Sequence, residues 1–254
     1  MKRIVFKIGT AILYENEKLS KRIDTIVEFL ASLMDKYEVM LVSSGAVGAG
    51  YTKLKLDKSK LENKQALAAV GQPLLMKEYK KRFKKYNISV AQVLLTAADL
   101  DSRKRTQNAK KMVEVLLKNR VLPIINENDS VSVEEILFGD NDQLSAYVSY
   151  YFDADLLVIL SDIDAFYTSN PKEDKNAKPI KIIEEIKSEW LEAECNPNDK
   201  FATGGIVTKL KAADFLMKRG KDMFLTSGYN LEYIKEFLNG NHIKGTLFKG
   251  KRWK

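Results

Sequence analysis

The chain has 254 residues, with 42 Lys+Arg against 34 Asp+Glu and a formal net charge of +8. Hydrophobic residues at 45% and charged residues at 30% exclude a disordered chain and give enough apolar material for one large α/β domain or two small ones. A single cysteine, Cys195, excludes an intrachain disulfide, and a single histidine, His242, excludes His-rich metal sites and any mechanism that needs two imidazoles.

Taken in chain order, Arg3–Ile8 is a β-branched apolar run ended by Gly9, and it reads as a buried strand. The same run opens with positive charge like a signal peptide, but Lys7 and Gly9 cut its apolar part at once. No apolar stretch approaches the roughly 18 residues of a membrane span, so a cytoplasmic protein is expected. Ile23, Ile26, Val27, Leu30, Leu33 and Met34 recur at helical spacing behind a capping Ser20. Val39–Val42 is a second buried strand. A lysine-studded helix follows over about 62–85, with Gly71 and Pro73 marking a bend. Ile88–Leu95 alternates as a strand does, and Ala109, Met112, Val113 and Leu116 mark another helical stripe.

Val121–Ile125 is a strand that tolerates Pro123 only at an edge or a bulge. Val131–Phe138 reads as a hairpin, about 142–152 as a helix, and Asp155–Leu160 as the clearest buried strand. Asn170 and Pro171 signal a turn in the looser stretch Tyr167–Lys178. A helix begins near Gly204 and closes at Arg219 and Gly220, and Met223–Leu225 and Thr246–Phe248 are late strands. Strands alternating with helices predict a mostly parallel sheet covered on both faces.

Ligands of such sheets bind beyond the carboxyl ends of the strands. Four of those ends carry chemistry here. Lys7, Gly9 and Thr10 close the first, where a lysine in a buried strand needs a polar outlet; alone, it also reads as a snorkelling side chain. Ser43–Gly50 is a glycine-rich turn into a helix, either an anion site or a tightly packed turn. Asn126–Ser130 and Phe138–Asp142 concentrate amides and carboxylates, which suit an ammonium-bearing ligand or a cation better than a solvated hairpin. Ser161 and Asp162 face Thr203–Lys209, a Thr-Gly-Gly turn opening a helix with Lys209 one turn in. Together these fit phosphoryl transfer, which is mostly positioning and charge neutralisation. A carboxylate nucleophile is ionised at neutral pH and needs no general base, so the lack of a suitable histidine favours an acyl-phosphate-forming kinase. The basic runs over 77–85, 103–111 and the tail read as solvated helix faces, with a nucleic-acid surface as the rival.

These segments resemble the glutamate 5-kinases of the amino acid kinase family: KIGT at 7–10, VSSGAVGAG at 42–50, ALAAVGQ at 66–72, LLTAAD at 94–99, INENDSV at 125–131, GDNDQLSA at 139–146 and TGGIVTK at 203–209. The resemblance implies a three-layer α/β/α sandwich, with about 1–152 binding the phosphoryl acceptor and about 153–254 the nucleotide. It implies ATP-dependent phosphorylation of the L-glutamate γ-carboxylate, the first step of proline biosynthesis, with Mg²⁺ on the nucleotide. Lys7 and Lys209 would flank the moving phosphoryl group, and Asp142 would hold them. Ser44, Gly45, Asp129 and Asn141 would bind glutamate. Lys7, Ser161, Asp162, Thr203, Gly204, Gly205, Ile206, Val207, Thr208 and Lys209 would hold ATP; the metal ligands are not assigned. A homo-oligomer with L-proline as feedback inhibitor is also implied. Many bacterial members continue into a PUA domain, which this chain is expected to lack. Ser161 stands where Thr is usual, and Ala165 and Ala202 stand where Gly is usual.

Overall fold

The computed structural model describes residues 1–16, 18–131, 141–171, 173–192 and 205–251. β1 (Lys2–Ile8) leads through the one-turn α1 (Thr10–Leu13) and the short pair β2 (Tyr14–Glu15) and β3 (Lys18–Leu19) into α2 (Arg22–Leu33). β4 (Tyr37–Ser43), α3 (Ala46–Tyr51), α4 (Leu61–Phe83), β5 (Val90–Leu95), α5 (Ala97–Asp101), α6 (Arg103–Lys118) and β6 (Leu122–Glu127) complete the first half. The second half holds α7 (Asn141–Tyr151), β7 (Leu156–Ser161), the small pair β8 (Phe166–Tyr167) and β9 (Pro179–Ile180), β10 (Ile182–Ile183) and α8 (Ser188–Glu192). It ends with α9 (Ile206–Met217), β11 (Asp222–Ser227), α10 (Glu232–Leu238) and β12 (Thr246–Phe248).

Eight strands form one sheet in the order β10-β12-β11-β7-β1-β4-β6-β5. All neighbours are parallel except β11 and β12. The chain lays β4, β6 and β5 outward from one edge of β1, then returns to place β7 on its other edge. The carboxyl end of β1 is therefore the topological switch point, where open α/β sheets bind ligands.

Side chains alternate across a strand, and β1 shows what that does here. Ile4, Phe6 and Ile8 join the core beneath α1, α2, α4 and α10. Val5 joins the core beneath α6, α7 and α9. Lys7, two residues on, is thereby delivered to the α7 and α9 side. Among the described residues no helix is long and apolar enough to cross a membrane.

Most predicted elements stand where the sequence put them. Ser20 accepts the Arg22 amide at 3.3 Å at the entry to α2. Gly220, at φ +72°, ends the turn after α9, with its amide on Met217 O at 3.1 Å. The hairpin expected over Val131–Phe138 lies outside the described residues beyond Val131.

Three expectations need correction. Pro123 lies in β6, an interior strand rather than an edge. The Leu122 amide points to Ser89 O on the β5 side, so the missing amide of Pro123 points toward β4, where pairing begins only at Leu41 with Ile124. Met112 lies off the buried stripe at 40% exposed, while Val113 and Leu117 carry that face of α6. Gly71 does not mark a bend, because α4 runs unbroken through Gly71 and Pro73. A Cβ on Gly71 would lie 1.8 Å from Ala46 O, and one on Gly50 would lie 1.9 Å from Leu67 O. α3 and α4 thus meet backbone to backbone. Gly71→Ala must push α3 away and is expected to cost about 1–3 kcal/mol, read as a Tm lowered by roughly 2–4 °C per kcal/mol. An unchanged Tm would mean that the helices separate without cost.

Candidate active site

Three elements converge on one buried ion cluster. β1 supplies Lys7, the first turn of α7 supplies Asp142, and the first turn of α9 supplies Lys209. Lys7 Nζ lies 2.6 Å from Asp142 Oδ1, and Lys209 Nζ lies 3.0 Å from Asp142 Oδ2. Thr208 Oγ1 also donates to Asp142 Oδ2 at 3.0 Å, and Lys209 Nζ donates to Gly205 O at 2.9 Å. Asp142 is 0% exposed, Lys7 3% and Lys209 7%. Burial pushes the Asp142 carboxyl up, but the two ammonium groups outweigh it and hold its pKa down at about 2. One carboxylate between two ammonium groups leaves a net charge of +1 in a poorly solvated place, where it acts strongly on any anion brought near. Cβ atoms on Gly9 and Gly205 would each stand 3.6 Å from the neighbouring lysine Nζ, so glycine at both places keeps side-chain bulk off the two ammonium groups.

On the β4 and β6 side, Ser44, Gly45, Asn126, Asp129 and Asn141 line one cavity of about 650 Å³. All four residues expected to bind the acceptor are thus brought together. Gly45, at φ +110°, makes the turn from β4 into α3. Asn141 Nδ2 donates to Ser44 Oγ at 2.8 Å and to Asn126 Oδ1 at 2.8 Å. Burial, with the charge of Glu127 nearby, pushes the Asp129 carboxyl up to about 6.

A second cavity of about 550 Å³ opens on the β7 and β11 side, lined by Ser161, Asp162, Gly205, Ile206 and Lys209 among others. The roles expected along the helix start divide. Val207 is 1% exposed and packs in the core, so its side chain faces no ligand. The Thr208 hydroxyl is committed to Asp142 and to Gly205 O. Thr203, Gly204 and Ala202 lie outside the described residues, as does Cys195. Ala165 is buried without a positive φ, so alanine in place of glycine brings no backbone strain there. Sequence reasoning missed Asp164, Tyr167 and Tyr229 on this cavity. Asp164 is held by Lys244 at 2.6 Å and by the Tyr167 hydroxyl at 2.9 Å. It also gave no role to Gln72 and Gln92, which extend the amide chain behind Asn126.

His242 is structural. Its Nε2 meets Gly245 O at 3.0 Å, and its ring packs edge-on against Phe224 and Phe237. Within the basic runs, Arg82 pairs with Asp24 and Glu78, and Lys110 with Asp153.

The profile of the amino acid kinase family matches residues 2–227. The glutamate 5-kinase of Leishmania donovani is 55% identical over 250 residues, covering 98% of this chain and 95% of that one. The glutamate 5-kinase of Wolinella succinogenes is 54% identical, covering 98% of each. Among solved structures, carbamate kinase from Giardia lamblia bound to AMP-PNP matches with a TM-score of 0.65 at 17% identity, covering 97% of this chain and 98% of that one. UMP kinase from Ureaplasma parvum matches with a TM-score of 0.63 at 17% identity, covering 97% of each. At that identity the likeness is one of fold, the three-layer α/β/α sandwich around a mostly parallel sheet. The chain belongs to the amino acid kinase family, and the relatives it matches at more than half identity are glutamate 5-kinases.

Proposed function

We propose that the chain transfers the γ-phosphoryl group of ATP to the γ-carboxylate of L-glutamate, giving L-glutamyl 5-phosphate and ADP, the first step of proline biosynthesis. One observation carries the reading beside the relatives' names: two buried ammonium groups share a single carboxylate at the switch point of the sheet, with a cavity lined from residues 10–141 and another lined from residues 161–229. In this reading about 1–152 binds glutamate and about 153–254 binds the nucleotide. A γ-carboxylate oxygen attacks the γ-phosphorus in line, and the bond to the β,γ-bridging oxygen breaks with its electrons leaving on ADP. Lys7 and Lys209 face the charge that spreads over the moving group, and Asp142 keeps both ammonium groups in place before the reactants arrive. Ser161, Asp162 and the start of α9 hold the nucleotide.

Among the described residues no group of three or more His, Cys, Asp or Glu side chains is arranged to hold a metal ion. In this reading Mg²⁺ would accompany the ATP phosphates and offset their charge. Cytoplasmic placement, homo-oligomeric assembly and feedback inhibition by L-proline belong to the same reading.

Asp129 is the partner of the substrate ammonium, which separates glutamate from an acylated analogue. ADP release with L-glutamate, N-acetylglutamate and L-aspartate tests this. Glutamate alone is expected to support turnover, and efficient use of N-acetylglutamate would overturn the assignment. Because Asp129 titrates near 6, its charge is present above that pH and lost below it. The glutamate KM is expected to be flat above pH 7 and to rise about tenfold per pH unit below 6. Asp129→Asn should have a raised KM that no longer depends on pH in this range. A pH-dependent KM that survives in the variant would place the titrating group elsewhere.

A further inference from the structure

A chain of side-chain amides leads from Asn141 and Asn126 on the acceptor cavity to Gln72 and Gln92, two residues that the proposed mechanism does not use. Gln72 Nε2 donates to Gln92 Oε1 at 3.2 Å, and Asn126 Nδ2 donates to Gln72 Oε1 at 3.0 Å. Asn126 Oδ1 accepts from Asn141 Nδ2 at 2.8 Å, and the same nitrogen donates to Ser44 Oγ at 2.8 Å. The members come from α4, β5, β6, α7 and the end of β4. Gln72 is 7% exposed and Asn126 2%, so water has little access to their amides.

The nitrogen and oxygen ends of an amide are nearly the same size, so the partners decide which way round it sits. Here each amide decides for the next. Gln72 presents its oxygen to Asn126, so Asn126 must turn its own oxygen to Asn141. Asn141 then spends both N–H donors, on Asn126 and on Ser44. What remains for the cavity is the Asn141 Oδ1, an acceptor, and the Ser44 hydroxyl proton, a donor. Asp129, on the same cavity, is a second acceptor.

We infer that Gln72, acting through Asn126, is a positioning residue that sets the polarity of the acceptor site, so that Asn141 offers an oxygen to the ammonium of an amino acid and Ser44 offers a proton to a carboxylate. This rests on the glutamate reading above and adds how the site tells an amino acid from a plain dicarboxylate. Were the chain reversed, Asn141 would offer N–H groups to an ammonium and repel it.

The test compares L-glutamate with glutarate, which keeps both carboxylates and lacks the ammonium. The KM for glutamate and the Ki for glutarate as competitor are measured on the same preparation, so their ratio does not depend on how much of a variant is folded. In Gln72→Met, Asn126 is no longer held one way round. The glutamate KM is expected to rise about tenfold, with the glutarate Ki and kcat changed less than about threefold. Gln72→Glu still offers Asn126 an acceptor, and the exposed Gln92 can turn to meet it, so most of the discrimination should return. Gln92→Met, at the exposed end of the chain, does not threaten the fold and should lower the preference by a smaller factor of about two to five. Equal losses for glutamate and glutarate in Gln72→Met would show a merely structural role and overturn the inference. Unchanged preference in both Met variants would overturn it as well. A wild-type protein that does not phosphorylate glutamate fails the parent reading before any variant is made.

Discussion

Lys209→Ala is expected to fold as the wild type does and to lose kcat by a factor on the order of 10²–10³, the usual effect of removing one donor aimed at developing charge. The fold survives because of the charge count in the cluster. With Lys209 present, Asp142 balances one of two buried ammonium groups; with it gone, Lys7 and Asp142 remain as a neutral pair at 2.6 Å. Thr208 still donates to the oxygen that Lys209 leaves. Steady-state kinetics beside a thermal melt decide the matter. A loss confined to the ATP KM would make Lys209 a binding group only, and near-normal kcat would remove it from the reacting phosphoryl group altogether.

Asp142→Asn should have the opposite balance of effects, and it is the substitution with the largest expected cost to stability. It leaves two ammonium groups buried together with no counter-charge, and breaking a buried pair in this way typically costs about 3–5 kcal/mol. Chemical denaturation should show that loss as a lowered midpoint, and turnover should fall with it because neither lysine is then held. The wild-type carboxylate also links stability to pH. Its two ammonium partners hold its pKa on folding below the unfolded value, so the stability it contributes is complete above pH 4 and is lost as the pH drops through about 2. Asp142→Asn should lack that acid transition. A variant as stable as the wild type would mean that the cluster relaxes into solvent.

The parts of the site that the sequence disclosed are those where one residue type is costly unless it serves a purpose. A lysine at alternate spacing in an apolar strand has to emerge somewhere, and Lys7 does so where β1 meets α7 and α9. Carboxylates and amides gathered beyond a buried strand are poor core material, and Asp129 and Asn141 both line a cavity. Gly71 was misread because a glycine beside a proline gives the same local signal whether a helix bends or another helix crosses it. Pro123 was misplaced because the edge rule counts a missing amide without asking which neighbour it faces. Of the stripe Ala109, Met112, Val113 and Leu116, only Met112 turns outward, because the buried face of α6 is centred on 113 and 117. The amide chain was out of reach for a different reason. Its members at 44, 72, 92, 126 and 141 are ordinary polar residues on separate elements, and only the folded sheet brings them into register.

In the proposed reaction the glutamate γ-carboxylate itself attacks phosphorus. That attack can be followed with L-glutamate carrying ¹⁸O in both γ-carboxyl oxygens, ATP and Mg²⁺, with hydroxylamine present to cleave any acyl phosphate at its carbonyl carbon. Glutamyl hydroxamate is expected, together with inorganic phosphate that carries one ¹⁸O per molecule released, since the bridging oxygen came from glutamate. Phosphate released without label would mean that water, not the carboxylate, takes the phosphoryl group, and would rule out the γ-carboxylate as nucleophile.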